Sequence, residues 1–351
     1  MSDVLIQNIL EKSCADALLI TSPSNTLYYG GYANPECTIL VTKTDIYYFT
    51  DDRYTLEAKQ YIPSSFKLVS LACNDFKTIS SYAVKQNVKV LGTETISFKT
   101  YGVLSEYFDK VIDVQDVISS PRMIKTDEEI ARIQFACHVN DVAFENLLPQ
   151  VKEGMTELEL GYLLQYEYIK AGGEGIAFDT ISVFGEHTAY PHGHPGHTKL
   201  KLGDVVTLDF GTKYQGYCSD ITRSFSFGTP ADADYVKVYN DVLEAQKLGV
   251  EIVREGMLCR DADKVVRDYL ESKGLAKYFT HSLGHGVGID IHERPFLSGR
   301  SNDVFQNNQV YTIEPGVYIA GKFGLRIEDS LYLSNGNPVT LTRCDKKLII
   351  L

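Results

Sequence analysis

The chain has 351 residues, more than a single domain usually holds, so its length predicts two domains. Hydrophobic residues make up 44% and charged residues 23% of the chain, which is ordinary for a globular protein. Acidic side chains outnumber basic ones by 46 to 34, and the resulting net charge of -12 argues against nucleic acid or an anionic membrane as a partner.

The cysteines and the N-terminal segment bear on the compartment. The seven cysteines are scattered and never spaced as C-x-x-C, which predicts neither a disulfide framework nor a cysteine zinc site. The N-terminal segment carries acidic residues and no long apolar core, and no apolar run elsewhere reaches the length of a membrane span. We therefore expect a cytoplasmic protein with reduced thiols.

The first part of the chain alternates apolar and polar segments in an α/β pattern. Residues 43–45, KTD, form a plausible hairpin turn between two short apolar runs. The same patterns predict a helix over residues 51–61 and strands over residues 15–20, 37–42, 46–50, 88–92 and 111–117.

A change in the sequence pattern near residue 122, from short alternating segments to a helix start, predicts a domain boundary. Pro121 breaks regular structure, and Thr126 followed by Asp127 and two glutamates is typical of a helix N-terminus. We therefore expect an N-terminal domain over residues 1–121 and a second domain over residues 122–351.

The second domain contains an internal repeat. The segments that begin at Val151 and Val253 both start V-(K/R)-EGM, and Gly172 and Gly274 fall at the same offset within them. In each copy a predicted helix is followed by a β-rich stretch that carries histidines. Two similar α/β halves that face each other, with a site between them, explain this pattern.

Four acidic residues interrupt apolar strand patterns in the second domain. Asp209 and Asp220 lie on two strands joined by a glycine-rich turn, and Glu314 and Glu328 occupy a similar pair of strands in the second half. Arg326 shares a strand face with Glu328. A carboxylate in such a position is costly unless it is paired or binds a metal ion.

These four acids predict a metal site if the halves face each other. Four negative charges cannot gather in a pocket of low dielectric without cations, and two divalent ions would neutralise them. Any one of the acids, taken alone, is better explained by a salt bridge or by exposure to solvent. The symmetric placement of all four, beside two clusters of histidines, favours the metal site.

Seven of the eight histidines fall in two clusters, and we interpret His138, outside them, as structural. One cluster is HSLGHGVGIDIHERP at residues 281–295, where His281 and His285 have the spacing of a pair of zinc ligands on a helix. Alternating glycines disfavour a helix there, so we expect extended or turning backbone. The other cluster spans residues 186–197, and we interpret three of its members as loop residues: His187, His194 and His197.

The second domain resembles the metallopeptidases with the pita-bread fold, which include methionine aminopeptidase, aminopeptidase P and prolidase. The matching stretches, in family order, are FDTISVFGEHTAYPHG, GDVVTLDFGTKYQGYCSDITRSF, HSLGHGVGIDIHERP, YTIEPGVYI and GLRIEDSLYL. Residues 1–121 resemble the N-terminal domain shared by aminopeptidase P, prolidase and creatinase, through LYYGGY and FTDDRY. The resemblance implies a mixed α/β chain with a creatinase-like first domain and a pseudo-symmetric pita-bread second domain.

The resemblance also implies roles for particular residues. The implied metal ligands are Asp209, Asp220, His285, Glu314 and Glu328. The implied catalytic residues are His192, His281, His292, Glu314 and Arg326. The implied substrate contacts are His192, His292, Phe296 and Tyr318. Carboxylates are hard ligands, so this set suits two divalent ions, Mn²⁺ first, with Co²⁺ and Zn²⁺ as alternatives.

The activity implied by the resemblance is hydrolysis of an Xaa-Pro bond in small peptides with proline in second position. Methionine aminopeptidases typically lack the N-terminal domain, which leaves aminopeptidase P as our main prediction and prolidase as the alternative. Some dipeptidases of the family place an arginine where this chain has Phe296, which favours aminopeptidase P. A non-catalytic pita-bread binding protein is a third possibility, disfavoured because all five ligands are present. The resemblance also implies a homodimer.

Overall fold

The computed structural model describes residues 3–351. The chain divides into two compact units at the peptide bond between Arg122 and Met123. Both units mix helices with strands, so the predicted α/β fold class is confirmed. None of the helices within the described range is long and apolar enough to cross a membrane.

The first unit contains one six-stranded mixed sheet with the strand order β4-β3-β2-β1-β5-β6. Its strands are β1 (Ala17–Ile20), β2 (Cys37–Thr42), β3 (Ile46–Thr50), β4 (Lys67–Ser70), β5 (Val90–Thr93) and β6 (Lys110–Asp113). Its helices are α1 (Asp3–Lys12), α2 (Pro23–Gly30), α3 (Thr55–Tyr61), α4 (Phe76–Val84), α5 (Phe98–Leu104) and α6 (Gln115–Ser119). Every residue of β1 and β2 is buried. Their nearly continuous apolar sequences are typical of strands in the middle of a sheet that is covered on both faces.

Two predictions in this unit need correction at their ends. The strand predicted over residues 111–117 stops at Asp113, whose side chain accepts the backbone N–H of Gln115 at 2.9 Å, and α6 follows. The helix predicted over residues 51–61 begins only at Thr55, because Asp51 accepts the N–H of Arg53 in a similar turn. In both places an aspartate side chain competes with regular backbone hydrogen bonding.

The second unit has two pairs of packed helices, one pair in each half of the repeat. They are α7 (Asp127–Leu147) with α8 (Glu157–Ala171), and α9 (Tyr235–Ile252) with α10 (Cys259–Ser272). The predicted start of α7 is confirmed, since the Thr126 and Glu129 side chains each bond the other's backbone N–H in a capping box.

The strands of the second unit form two principal sheets with orders β12-β9-β8 and β14-β13-β15-β18-β19, together with a β11-β10-β7 sheet and a β16-β17 ribbon. In the first half they are β7 (Gly175–Ile176), β8 (Ile181–Phe184), β9 (Val205–Phe210), β10 (Thr212–Tyr214), β11 (Tyr217–Cys218) and β12 (Ile221–Ser226). In the second half they are β13 (Gly284–Gly286), β14 (Glu293–Leu297), β15 (Val310–Ile313), β16 (Gly316–Ile319), β17 (Phe323–Arg326), β18 (Asp329–Ser334) and β19 (Asn337–Thr340).

The two halves repeat each other in backbone conformation as well as in sequence. The glycine of each EGM motif has a positive φ, 84° at Gly154 and 83° at Gly256. Gly172 and Gly274, which end the second helix of each pair, also have positive φ, a conformation that glycine adopts without steric cost. Each half has its own hydrophobic core. The repeat seen in the sequence is therefore a repeat of structure.

Candidate metal centre

The first pair of carboxylates lies on the hairpin of β9 and β12. Asp209 is in β9 opposite Thr222 of β12, and Asp220 immediately precedes β12. Side chains two residues apart on extended backbone point to the same face, so Asp220 and Thr222 lie together. The antiparallel pairing then places both aspartates at the same end of the hairpin.

The second pair of carboxylates lies at the ends of β15 and β18. Glu314 follows the last residue of β15, Ile313, which pairs with Asp329, and Glu328 immediately precedes Asp329. Thr222 connects the two pairs, because its hydroxyl donates to Glu328 Oε2 at 2.7 Å and its carbonyl accepts the Glu328 N–H at 3.2 Å. The structure thus brings together the four acids that the two halves contribute.

His285 reaches this centre from β13, a strand flanked by β14 and β15. An ideal Cβ on Gly284 would lie 2.1 Å from the Thr312 carbonyl oxygen, and one on Gly286 would lie 2.3 Å from the Arg294 carbonyl oxygen. Only glycine permits such close approach of the neighbouring strands. The prediction that the glycines exclude a helix is confirmed, and a helical pair of ligands from His281 and His285 is excluded with it.

The tautomer of His285 points to a cation. Its Nδ1 donates to the carbonyl of Gly286 at 3.1 Å, so Nε2 carries a lone pair. That Nε2 lies 3.5 Å from Asp220 Oδ2 and 3.5 Å from Glu314 Oε1. Burial lowers the pKa of His285 to about 3, and His292 adds to the effect. A lone pair that faces two carboxyl groups, rather than an N–H donor, is an arrangement that a bound cation would satisfy.

The electrostatics of the acids lead to the same conclusion. Burial raises the pKa values of Asp220 and Glu328 well above their usual range, and neighbouring carboxylates raise them further. Burial also raises the pKa of Glu314 to about 8. Asp209 Oδ1 is buried without a hydrogen-bond donor among the described residues. Asp220, Glu314 and Glu328 therefore need additional positive charge to ionise fully at neutral pH.

The donor set fits divalent metal ions. Asp220, His285 and Glu328 each offer a ligand atom, and these atoms lie within 4.8 Å of one another. Asp209 and Glu314 adjoin them, so the centre offers four carboxylates and one imidazole but no thiolate. Such a set suits hard or borderline cations, and four negative charges match the charge of two divalent ions.

Arg326, at the end of β17, is the cation that the chain itself supplies to the centre. Its guanidinium donates to Asp209, to the hydroxyl of Tyr318, to Thr222 Oγ1 at 3.0 Å and to the carbonyl of Pro191 at 3.3 Å. One guanidinium balances one of the four carboxylates. Its several bonds orient the side chains around it, which is the function of a planar group with five donors.

Tyr318 and His281 form a hydrogen-bonded pair beside Arg326. The Tyr318 hydroxyl, which accepts from Arg326, lies 2.9 Å from His281 Nε2, while His281 Nδ1 lies 2.8 Å from the carbonyl of Ser282. Burial lowers the pKa of His281 to about 3, so the ring is neutral. Its Nε2 therefore accepts a hydrogen bond from the Tyr318 hydroxyl. His281 lines the cavity that opens onto the carboxylates. Tyr318 is buried behind His281 and does not belong to the lining of that cavity.

A cavity of about 310 Å³ opens onto the carboxylates. Three of the residues that the sequence analysis assigns to substrate contacts line it, His192, His292 and Phe296. The His292 ring lies 4.2 Å from the ring of His285, centre to centre. Burial lowers the pKa of His292. Apolar side chains that sequence analysis did not single out complete the wall: Phe178, Ile181 and Ile291.

The residues that sequence analysis missed differ in whether the sequence contains a signal that could have identified them. Thr222 alternates with Asp220 along β12, so its position on the acidic face could be recognised, although its bond to Glu328 could not. Phe178 and Ile291 precede or follow short strands and look like ordinary core residues in the sequence. Their role depends on which long-range neighbours leave space beside them.

The mixed α/β fold and this carboxylate-rich centre together define a metalloenzyme with an additional N-terminal domain. Residues 131–335 match the model of metallopeptidase family M24, and residues 5–124 match the creatinase/prolidase N-terminal domain. The chain belongs to metallopeptidase family M24. The expected membership of the pita-bread metallopeptidases and the expected hydrolase class are thereby confirmed, and a non-catalytic binding protein is not retained.

Relatives of this family cover almost the whole chain. The Xaa-Pro dipeptidase of Pyrococcus furiosus is 34% identical over 355 residues, covering 97% of each chain. The structure of an Xaa-Pro dipeptidase from Bacillus anthracis matches with a TM-score of 0.94 and 34% identity, covering 99% of this chain and 98% of that one. An X-Pro aminopeptidase from Thermotoga maritima matches with a TM-score of 0.91 and 33% identity, with the same coverage.

Proposed function

We propose that this protein is an Xaa-Pro dipeptidase. The observation that carries the proposal is full-length similarity to Xaa-Pro dipeptidases, at 34% identity in sequence and with a TM-score of 0.94 in structure. The cavity volume of about 310 Å³ lies at the lower end of the range for ligand pockets, which supports a small substrate. Prolidase, the alternative in the sequence analysis, therefore fits better than aminopeptidase P, the main prediction.

The metal-binding residues in this proposal are Asp209, Asp220, His285, Glu314 and Glu328. When bound, two divalent ions would supply Lewis acidity and a water of lowered pKa. We propose Mn²⁺ as the native metal, with Co²⁺ or Zn²⁺ as alternatives, because oxygen ligands predominate. Removal of metal with a chelator, followed by addition of each ion, tests the choice by the metal retained and the activity restored.

The reaction requires a proton relay, which we assign to Glu314. Water adds to the carbonyl carbon of Xaa, the C–N bond to proline breaks, and the prolyl nitrogen leaves with a proton. That nitrogen carries no hydrogen in the tertiary amide, so it cannot depart until it is protonated. The Glu314 carboxylate, at the wall of the cavity, takes the proton from the attacking water and returns it to the nitrogen.

His192 and His292 are assigned to the substrate carbonyl. Both line the cavity, and a neutral imidazole can donate one hydrogen bond to the oxygen on which negative charge develops. His281 contributes differently, because both of its ring nitrogens already have hydrogen-bonding neighbours in Tyr318 and Ser282. His281 and Tyr318 position the wall, and Arg326 holds Asp209 in its ligating orientation.

The proposed function is tested with the dipeptide Ala-Pro and the tripeptide Ala-Pro-Ala on metal-loaded protein. A dipeptidase cleaves Ala-Pro with a higher kcat/KM than Ala-Pro-Ala. Absence of Ala-Pro hydrolysis after addition of Mn²⁺, Co²⁺ and Zn²⁺ in turn would contradict the proposal.

Aminopeptidase P activity is the second candidate, and Phe296 is the observation that favours it. Phe296 lines the cavity and is 47% exposed, so this wall offers an aromatic surface rather than a positive charge for the free carboxylate of a dipeptide. A higher kcat/KM for Ala-Pro-Ala than for Ala-Pro identifies this activity. Phe296→Arg should then shift the ratio toward the dipeptide.

We also propose that the protein acts as a homodimer in the cytoplasm on small peptides with proline in second position. The family resemblance supports the dimer, and the acidic composition and scattered cysteines support the compartment. Light scattering coupled to size exclusion tests the dimer, which should have twice the molar mass of the chain. Cell fractionation tests the location.

A further inference from the structure

His192 depends on its loop for its position. It lies in the segment of residues 185–197 between β8 and β9, and it makes no hydrogen bond within the part of the chain that the structure describes. Its side chain is exposed to the cavity. The backbone of the loop must therefore determine where the imidazole stands relative to a substrate.

A buried carboxylate outside the metal centre holds both ends of this loop. Glu157, the first residue of α8, is fully buried. Its Oε1 accepts the N–H of Phe184 at 2.9 Å, just before the loop, and its Oε2 accepts the N–H of Gly196 at 2.9 Å, near the loop's end. Each oxygen of the carboxylate thus bonds the backbone at one end of the loop.

The same carboxylate also contacts His187, the third residue of the loop. Glu157 Oε1 accepts a hydrogen bond from His187 Nδ1 at 2.8 Å. His187 packs against the backbone beside His192, since an ideal Cβ on Gly193 would lie 3.4 Å from His187 Nε2. One side chain thereby bonds the residue before the loop, His187 near its start and Gly196 near its end, and the His187 ring reaches the backbone beside His192.

The opposite side of the loop is tied to the metal centre. Arg326 donates to the carbonyl of Pro191 at 3.3 Å, and Thr188 Oγ1 accepts the N–H of Gly324 at 2.8 Å. The residue before His192 is thus fixed from the side of the metal centre, and the residue after it from the side of Glu157. His192 stands between these two sets of contacts.

We propose that Glu157, acting through His187 and the loop ends, is a positioning residue for His192. The inference rests on the proposed function, in which His192 bonds the substrate carbonyl. Glu157 acts by orienting His192, and a displacement of about 1 Å at a reacting group can lower the rate by about 100-fold. The geometry thus gives His187, which the sequence presents as a loop residue, a part in catalysis that does not require contact with the substrate.

The test compares Glu157→Gln and His187→Gln with Glu159→Gln in metal-loaded protein. Glu157→Gln places an amide NH₂ against one of the donors, so kcat/KM for Ala-Pro should fall by about 10- to 100-fold with unchanged metal content. His187→Gln removes only the contact through the imidazole and should cost about 10-fold or less. Glu159→Gln is the matched control, because Glu159 is exposed on the same helical turn and glutamine preserves the capping box.

A double-mutant cycle with His192→Ala separates positioning from a general structural effect. If Glu157 acts through His192, Glu157→Gln and His187→Gln should change kcat/KM by no more than about twofold once His192 is absent. The same loss in both backgrounds, or no loss in the presence of His192, overturns the inference. Because His187 is partly exposed, His187→Gln decides the question if Glu157→Gln does not fold. Failure of the unmodified protein to cleave Ala-Pro overturns the proposed function instead.

Discussion

The two halves of the second unit share a backbone pattern but hold their histidines by different means. In the first half, Glu157 at the start of α8 accepts backbone N–H groups from both ends of the His192 loop. The equivalent position at the start of α10 is Cys259, a buried thiol that cannot replace the carboxylate. The second half instead uses Asp263, one turn further along α10.

Asp263 works as part of an ion pair. It accepts the N–H of Leu283 at 3.1 Å and pairs with Arg267, which donates to the carbonyls of Phe279 at 2.8 Å and His281 at 2.9 Å. This network holds the segment that enters β13 and presents His285. One half thus supports a histidine at the cavity and the other supports His285, a proposed metal ligand. The two halves share the positions of their elements, while the side chains that anchor the histidines differ.

The largest expected effect is loss of a ligand from either half. Asp220→Ala in the first half and Glu328→Ala in the second should each lower kcat/KM by more than the roughly 100-fold that removal of a supporting residue costs, and should lower bound metal. Activity assays and elemental analysis measure both quantities. The exposed Glu271→Ala, on α10, is the control. Full activity in either ligand variant would sink the assignment.

The next effect concerns Arg326, which joins the halves. Arg326→Lys keeps the charge but cannot donate at once to Asp209, Thr222 and Pro191, so kcat/KM should fall by about 10- to 100-fold. Arg343→Lys, at an exposed side chain, serves as the matched control. An Arg326→Lys enzyme as active as the control variant would show that charge alone suffices.

The pH dependence of stability tests whether the acids from both halves repel one another without metal. A carboxyl group whose folded pKa is raised contributes stability below its unfolded pKa, and that stability is lost as pH rises through the folded value. For Glu314 this stability is lost between about pH 4.5 and about pH 8. His281 and His285, with pKa values lowered from 6.5 to about 3, increase stability up to pH 6.5 and are constant above it.

Between pH 6.5 and 8, therefore, the free energy of unfolding of metal-free protein should decrease, and saturating metal should remove the decrease. Urea unfolding at several pH values, with and without metal, measures it. Glu314→Gln should make the decrease in the metal-free profile smaller, while Glu271→Gln should leave it unchanged. A metal-free profile that is already flat between these values would contradict the repulsion.

The smallest effect sharpens the contrast between Glu157 and Asp263. Asp263→Asn weakens an ion pair whose carboxylate is buried but whose arginine is partly exposed, and it should cost about 1–3 kcal/mol of the free energy of unfolding. Its activity loss should persist when His192 is replaced by alanine, since Asp263 supports the His281 segment. Asp261→Asn, exposed in the first turn of α10, is the control. An activity loss that disappears with His192 would show that both acids act on one loop.

Sequence patterns predicted a large part of this architecture because they reflect local physics. The capping box at Thr126 bonds groups three residues apart, and the glycines around His285 exclude a helix by themselves. The aspartate turns at Asp51 and Asp113 are also local, yet they were overlooked, since apolar periodicity alone does not show which side chain will bond the backbone.

The sequence by itself determined five of the six strands of the first unit, the two repeated halves and the acidic residues that alternation places on one strand face. Those features depend on neighbours within a few positions. The tertiary structure alone decided that Tyr318 stands behind the cavity wall and that Glu157 reaches both ends of the His192 loop. Such contacts join residues far apart in the chain. Their geometry follows from how whole elements pack, which no local pattern encodes.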